Sequence, residues 1–147
     1  MDTTLREILS KKGSELYSVT GDALVADAVA VMVEKNVGSI LVMEGEHLKG
    51  LFTERDLMCR VVHARRDPGK TPVHEVMTTE VAAVAPTVKL EEAMSLCTER
   101  RVRHLPVYDG DSLIGIVSSG DLTKAAVRDQ QHTIEDLVRY IYGGEAS

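Results

Sequence analysis

The sequence predicts a mixed α/β (α+β) fold: two pseudo-symmetric β-α-β-β-α repeats packed sheet to sheet, with an extra helix at the C-terminus. Three observations lead there. Val19–Val62 aligns with Val84–Val127 at a constant offset of 65 without a gap, and eleven positions are identical, among them Gly45/Gly110, Gly50/Gly115, Asp56/Asp121 and Leu57/Leu122. A unit this long, present only twice, does not make a solenoid, which needs stacked neighbours; it makes a pair whose copies cover each other's apolar faces. Each copy also alternates short apolar runs with stretches of helical period.

In the first copy Tyr17–Thr20 reads as a short strand. A helix follows near Ala23–Asn36, with Leu24, Ala28, Met32 and Val33 on one face and Asp22 placed as its N-cap. Ser39–Met43 is an apolar strand of the kind covered on both faces. Glu44-Gly45-Glu46-His47 turns the chain into the strand Leu48–Thr53, and a second helix opens at Glu54, burying Leu57, Met58 and Val61. The second copy repeats this with a helix over Val88–Arg101, where Leu90, Ala93, Met94 and Cys97 share a face. Strands His104–Tyr108 and Ser112–Ser118 follow around the Asp109-Gly110-Asp111 hairpin signal, and a helix runs from Ser119 to about Gln131. Leu5–Ser10 and Val73–Thr78 match in pattern, so a lead-in helix precedes each copy, and the first is followed by three extra residues around Lys11-Lys12-Gly13. The boundaries expected are 1–66 for the first repeat with its lead-in, 67–130 for the second, and 131–147 for the C-terminal helix and tail. Within the last, Thr133–Asp136 resembles a capping box, Ile134, Leu137, Val138 and Ile141 share a face, and Gly143-Gly144 stops the helix. The segment His63–Thr71 reads as an exposed linker.

Composition excludes several classes. A net charge of −6, no Trp, one Phe and four Tyr argue against a nucleic-acid binder, which needs clustered cations or stacking platforms. No apolar run approaches the roughly 18–20 residues of a membrane helix. Two cysteines without a framework, Cys59 and Cys97, read as small core residues in a reducing cytoplasm. No paired metal-ligand spacing and no nucleophile elbow occurs, so no metal and no catalysis are expected. Ala64–Thr71 matches a loose phosphate-loop pattern but follows a helix, lacks the first glycine, and is coincidental.

The most specific feature closes each copy: Gly50-Leu51-Phe52-Thr53-Glu54-Arg55-Asp56 and Gly115-Ile116-Val117-Ser118-Ser119-Gly120-Asp121. A hydroxyl residue ends a strand and an aspartate follows three positions later. One reading is a helix cap, which satisfies orphan N–H groups. The other is a carboxylate accepting from ribose hydroxyls beside a helix N-terminus that holds phosphate.

The doubled order, with Val37–Val42, Val102–Val107 and the two closing G-h-h-T/S-x-x-D motifs, resembles the CBS domain, which occurs in tandem as a Bateman module. The resemblance spans Thr4 to about Arg128. It implies a stand-alone, non-catalytic sensor of adenine nucleotides (AMP, ADP, ATP or NAD) bound in two clefts between the repeats. Asp121 and Asp56 would hold ribose, and Ser118 and Thr53 ribose or phosphate. Tyr17, Val37 and Gly38 would line the cleft at Asp121, and Ala83, Val102 and Arg103 the cleft at Asp56. Arg103, His104 and Arg55 are the phosphate candidates, whereas Arg100 and Arg101 suit a helix C-terminus. The family also implies a homodimer through Met58, Val61, Val62, Ala125, Ala126 and Val127, signalling to an unidentified regulated protein. The C-terminal helix, with Tyr140 and Tyr142, would cap that dimer or dock on the partner. The alternatives are a pure protein–protein interaction module with empty clefts and, further off, a nucleotide-hydrolysing enzyme.

Overall fold

The computed structural model describes residues 2–13 and 15–146, and for positions 136, 140 and 142–146 the backbone only. The chain forms two compact units that do not follow the repeat boundaries: residues 15–81 form one, and residues 1–14 join 82–147 in the other. Each lead-in therefore packs with the body of the opposite repeat.

In the unit of residues 15–81, β1 (Ser18–Thr20) lies parallel to β2 (Ser39–Glu44), which pairs antiparallel with β3 (His47–Thr53). The crossover from β1 to β2 is α2 (Val25–Lys35). It starts without a side-chain cap at Leu24, and Asp22 does not serve as one. The carbonyls of Thr71 and Pro68 accept from the Val25 and Ala26 N–H groups instead. The expected exposed linker thus caps a helix, and Thr71 is buried. After β3 come α3 (Glu54–Asp56), continued by a π-helix over Leu57–Val62, and later a single 3-10 turn at Val73–Glu75. The core gathers Val25, Ala28, Met32, Ile40, Val42, Phe52, Val61, Val73 and Val76.

The other unit holds α1 (Leu5–Lys12), α4 (Leu90–Arg100), the antiparallel pair β4 (His104–Asp109) and β5 (Ser112–Ser118), and α5 (Ser119–Ala146). Leu5, Ile8 and Leu9 of α1 share its core with Leu90, Ala93, Leu105, Val107, Val117 and Leu122. The first strand expected here is reduced to one parallel bridge, Val84 with Val107. Proline explains it. In the first copy the Leu41 N–H bonds to the Tyr17 carbonyl, but the matching residue is Pro106, which has no N–H to donate.

The same bonds anchor both lead-ins. Leu5 and Arg6 N–H donate to Val88 and Pro86 carbonyls, as Val73 and His74 do to Ala23 and Gly21. The Leu90 N–H donates to the Thr3 carbonyl, as Val25 does to Thr71. Each hairpin turns through a glycine of positive φ, Gly45 (61°) and Gly110 (62°), and each carries a register shift just before Gly50 or Gly115.

Other expectations shift with the geometry. The expected break near Gln131 is absent: α5 runs unbroken through Thr133, Gly143 and Gly144. The Thr133 hydroxyl donates back to the Asp129 carbonyl rather than capping a new helix. Val33, Met58 and Met94 are exposed rather than core. Val61 is fully buried in its own unit, as the helical spacing predicts, which removes it from a dimer surface; Cys59, expected as a core residue, is exposed on the π-turn. Val62 and Val127, expected at a dimer surface, are exposed.

A Cβ at Gly50 would stand 2.6 Å from the Thr78 carbonyl oxygen, and one at Gly115 would stand 2.6 Å from Leu9 Cδ2. Backbone cannot step aside as a side chain does. Gly50→Ala is therefore expected to lower stability by about 1–3 kcal/mol, and Gly115→Ala by less. Urea unfolding of both variants checks the order.

Candidate functional site

Both closing tetrads form complete capping boxes. At the end of β3 the Thr53 N–H donates to Asp56 Oδ2 (3.0 Å) and the Asp56 N–H to Thr53 Oγ1 (3.2 Å). At the end of β5 the Ser118 N–H donates to Asp121 Oδ2 (2.8 Å) and the Asp121 N–H to Ser118 Oγ (3.1 Å). The next helical N–H is held alike: Glu54 donates to the Gly38 carbonyl and Ser119 to that of Arg103. Gly38 and Arg103 thus have a backbone task at equivalent places.

Beyond the boxes the two aspartates part. Asp56 is buried, its side chain 6% exposed. The Thr78 hydroxyl reaches both of its oxygens (2.9 and 3.1 Å), and Arg60 Nε lies 3.7 Å away. Thr78 also bonds Leu51 in both directions through its backbone. In the other unit α1 offers a lysine instead. Lys12 Nζ donates to Asp121 Oδ2 (2.6 Å) and to the Ile116 carbonyl (2.8 Å), the counterpart of Leu51. One ammonium thus stands where the first copy has a threonine hydroxyl and a backbone N–H. The Asp121 side chain is 23% exposed. Its partial burial raises the carboxyl pKa, but the Lys12 ammonium and the Ser118 N–H and hydroxyl outweigh that and hold it below the usual 3.8.

Beside Asp121, a cavity of about 260 Å³ opens between α1 and α5. Lys11, Lys12, Lys124 and Arg128 line it, against Glu7, Asp121 and Asp129. Two anions are engaged: Asp121 by Lys12, and Asp129 by the Thr3 hydroxyl at 3.0 Å. Among the described residues Lys11, Lys124 and Arg128 have no ion-pair partner. Sequence reading missed Lys124, Arg128 and the role of Thr78. The signal for Lys12 was the three-residue insertion after the first lead-in.

The remaining candidates divide between units. His104 lies opposite Ser118 across β4 and β5, so Arg103 and His104 belong to the unit of Asp121. Arg55 is exposed in the unit of Asp56. Tyr17, Val37 and Gly38 also belong to that unit. The Tyr17 hydroxyl donates to Glu15, which raises its pKa together with burial and the Glu15 charge, and Lys35 Nζ stands 5.5 Å from its ring centre. Val37 packs on the core. Among the described residues no group of three or more His, Cys, Asp or Glu is placed to hold a metal, and no helix is long and apolar enough to cross a membrane. The side chains of Tyr140 and Tyr142 lie outside the described residues.

Comparison with known proteins fits this architecture. The CBS domain model matches twice, at residues 5–63 and 73–128, and the chain belongs to the CBS domain family. It is 36% identical over 152 residues to the mitochondrial CBS domain-containing protein CBSX3 of Arabidopsis thaliana, covering 97% of this chain and 73% of that one. A signal-transduction protein with CBS domains from Burkholderia ambifaria MC40-6 superposes with a TM-score of 0.83 at 44% identity, covering 87% of this chain and 96% of that one. A hexameric CBS-CP12 protein from bloom-forming cyanobacteria superposes with a TM-score of 0.76 at 28% identity, over 100% and 92%. Tandem CBS proteins are regulatory and signal-transduction modules.

Two outcomes are expected of the aspartates. Asp56→Ala leaves the Thr78 hydroxyl and the Thr53 N–H, both half-buried, without their acceptor and costs about 1–3 kcal/mol of stability, measured by urea unfolding. Asp121 behaves differently with pH. Its folded pKa is depressed, so its contribution is present above the unfolded value near 3.8 and is lost as pH falls below it. The stability gap between the parent and Asp121→Asn should therefore hold its size from neutral pH down to about 3.8 and shrink as the pH falls further. A gap of constant size below that pH would contradict the ion pair.

Proposed function

We propose that the chain is a non-catalytic regulatory module that senses an adenine nucleotide (AMP, ADP, ATP or NAD), with Asp121 as the ribose-binding group. One observation carries this reading: the carboxylate at Asp121 is reachable, anionic and beside unpaired cations, whereas its counterpart at Asp56 is closed. The Lys12–Asp121 pair is then a resting contact. A nucleotide exchanges it for two others, ribose hydroxyls on Asp121 and a phosphate on Lys12, with Lys11, Lys124 and Arg128 close to further phosphates. At about 260 Å³ the cavity is below the roughly 300–1,000 Å³ of common ligand pockets, which suits the phosphate end of a nucleotide rather than the whole molecule. Asp56 and Thr53 act as a cap in this reading, while Arg103 and His104, flanking Ser118, remain on the side of the ligand. Cys59 and Cys97, both free thiols, suit a reducing compartment such as the cytoplasm; the plant relative is mitochondrial. Output passes to a second copy or to a regulated protein.

A second reading rests on the completed capping boxes: both tetrads are helix caps only, and the module binds proteins with no nucleotide. Calorimetry with AMP and ATP separates the two. The expected result is binding that weakens by roughly ten- to a hundredfold in Asp121→Ala, the loss of charge-assisted hydrogen bonds worth about 1.5–3 kcal/mol. Lys124→Met is expected to weaken ATP more than AMP. Equal affinity in a folded Asp121→Ala protein rejects the site, and no binding at all favours the second reading.

A further inference from the structure

Among the described residues, none in its own unit covers the C-terminal half of α5. The first turns are anchored, since Leu122 and Ala125 enter the core. Every described side chain from Gln130 to Ile141 is exposed, among them Ile134 (61%), Leu137 (56%), Val138 (50%) and Ile141 (68%). A helix that exposes such a stripe is stabilised by whatever buries it.

The spacing indicates what does. Val127, Ile134 and Ile141 recur every seven residues, and Leu137 lies between them at the complementary seam position. In heptad terms the a positions are β-branched and the d position at 137 is leucine, the combination that in parallel coils favours two strands over more. Arg128, Asp129, His132, Glu135 and Arg139 all fall at b, c or f, away from the seam, and the flanking e and g places at 126, 131, 133 and 138 are Ala, Gln, Thr and Val. Two copies of this surface meet without opposing charge. The remaining d position, Gln130, sets the direction. In a parallel in-register pair it faces its own copy, and the two amides can donate and accept between them. An antiparallel pair would set it against an apolar a residue, leaving an amide unpaired.

We infer that residues 127–141 form a parallel two-stranded coiled coil with a second copy of this chain. The pairing is isologous, with one two-fold axis along the seam. The seam is only two heptads long, but each strand continues a helix already nucleated and oriented by its own unit, which removes much of the cost that makes isolated short helices unstable.

The test uses the full chain in a Cys59→Ser background. Ile134→Cys and Leu137→Cys should each crosslink to a covalent dimer under mild oxidation, whereas Glu135→Cys, at a b position, should not. The double variant Ile134→Asp/Leu137→Asp should weaken self-association by about tenfold or more in sedimentation equilibrium. Its units should keep their thermal unfolding, because both side chains are exposed. A monomeric parent, crosslinking as strong at 135 as at the seam, or a double variant that associates like the parent would overturn the inference.

Discussion

Everything in each unit hangs on a short segment of chain seated against the body of the repeat it does not precede. Three backbone hydrogen bonds fix it, and they recur residue for residue: Leu5, Arg6 and Leu90 in one unit match Val73, His74 and Val25 in the other. The bonds donated by Leu90 and Val25 satisfy the first N–H of α4 and of α2, which have no side-chain caps. The three together also deliver the apolar residues that complete each core, Leu5 and Leu9 in one and Val73 and Val76 in the other. A repeat body without the opposite lead-in would expose both an orphan helix end and an open apolar face.

That seating reaches the closing tetrad. Gly50 and Gly115 lack a side chain where the lead-in lies against the last strand. The residue that follows the lead-in then arrives beside the capping aspartate, as Thr78 does at Asp56 and Lys12 does at Asp121. Identical frames thus present different groups to identical carboxylates. The cause is local: three extra residues after the first lead-in let α1 run on to Lys12, while its counterpart is a single 3-10 turn.

The sequence made the element order, the hairpins and the tetrads legible because each has a local physical signature: helical period, Asp-Gly between apolar runs, and a hydroxyl three residues before an aspartate. The bounds of Ser112–Ser118 were readable to the residue. What could not be read is non-local. Nothing in Leu5–Ser10 says which body it will cover, since either core would accept the same apolar face. The π-turn at Leu57–Val62 departs from a regular helical period: Val61 is buried as that period predicts, but Met58 and Cys59, expected inside, face outward. Pro106 was visible, yet its effect, the loss of one rung beside Val84, depended on knowing which strand lay alongside. At Thr133 a capping pattern had no break in the chain to cap, so the hydroxyl bonded back along an unbroken helix.

The difference between the two aspartates bears directly on regulation. A ligand shifts a protein only by binding one arrangement better than another, so a responsive group must have two states of similar free energy. Asp56 does not: its donors are a hydroxyl and an N–H fixed by backbone bonds, and displacing them leaves half-buried polar groups without their acceptor. Lys12 can leave Asp121 at small cost, because its side chain is 36% exposed and water or phosphate can receive the ammonium. The carboxylate it leaves keeps the Ser118 N–H as a donor. Because Lys12 closes α1, its departure also releases the bond to the Ile116 carbonyl, which ties that helix to β5. On the proposed reading, occupancy at Asp121 is therefore coupled through one side chain to the segment on which the unit is built.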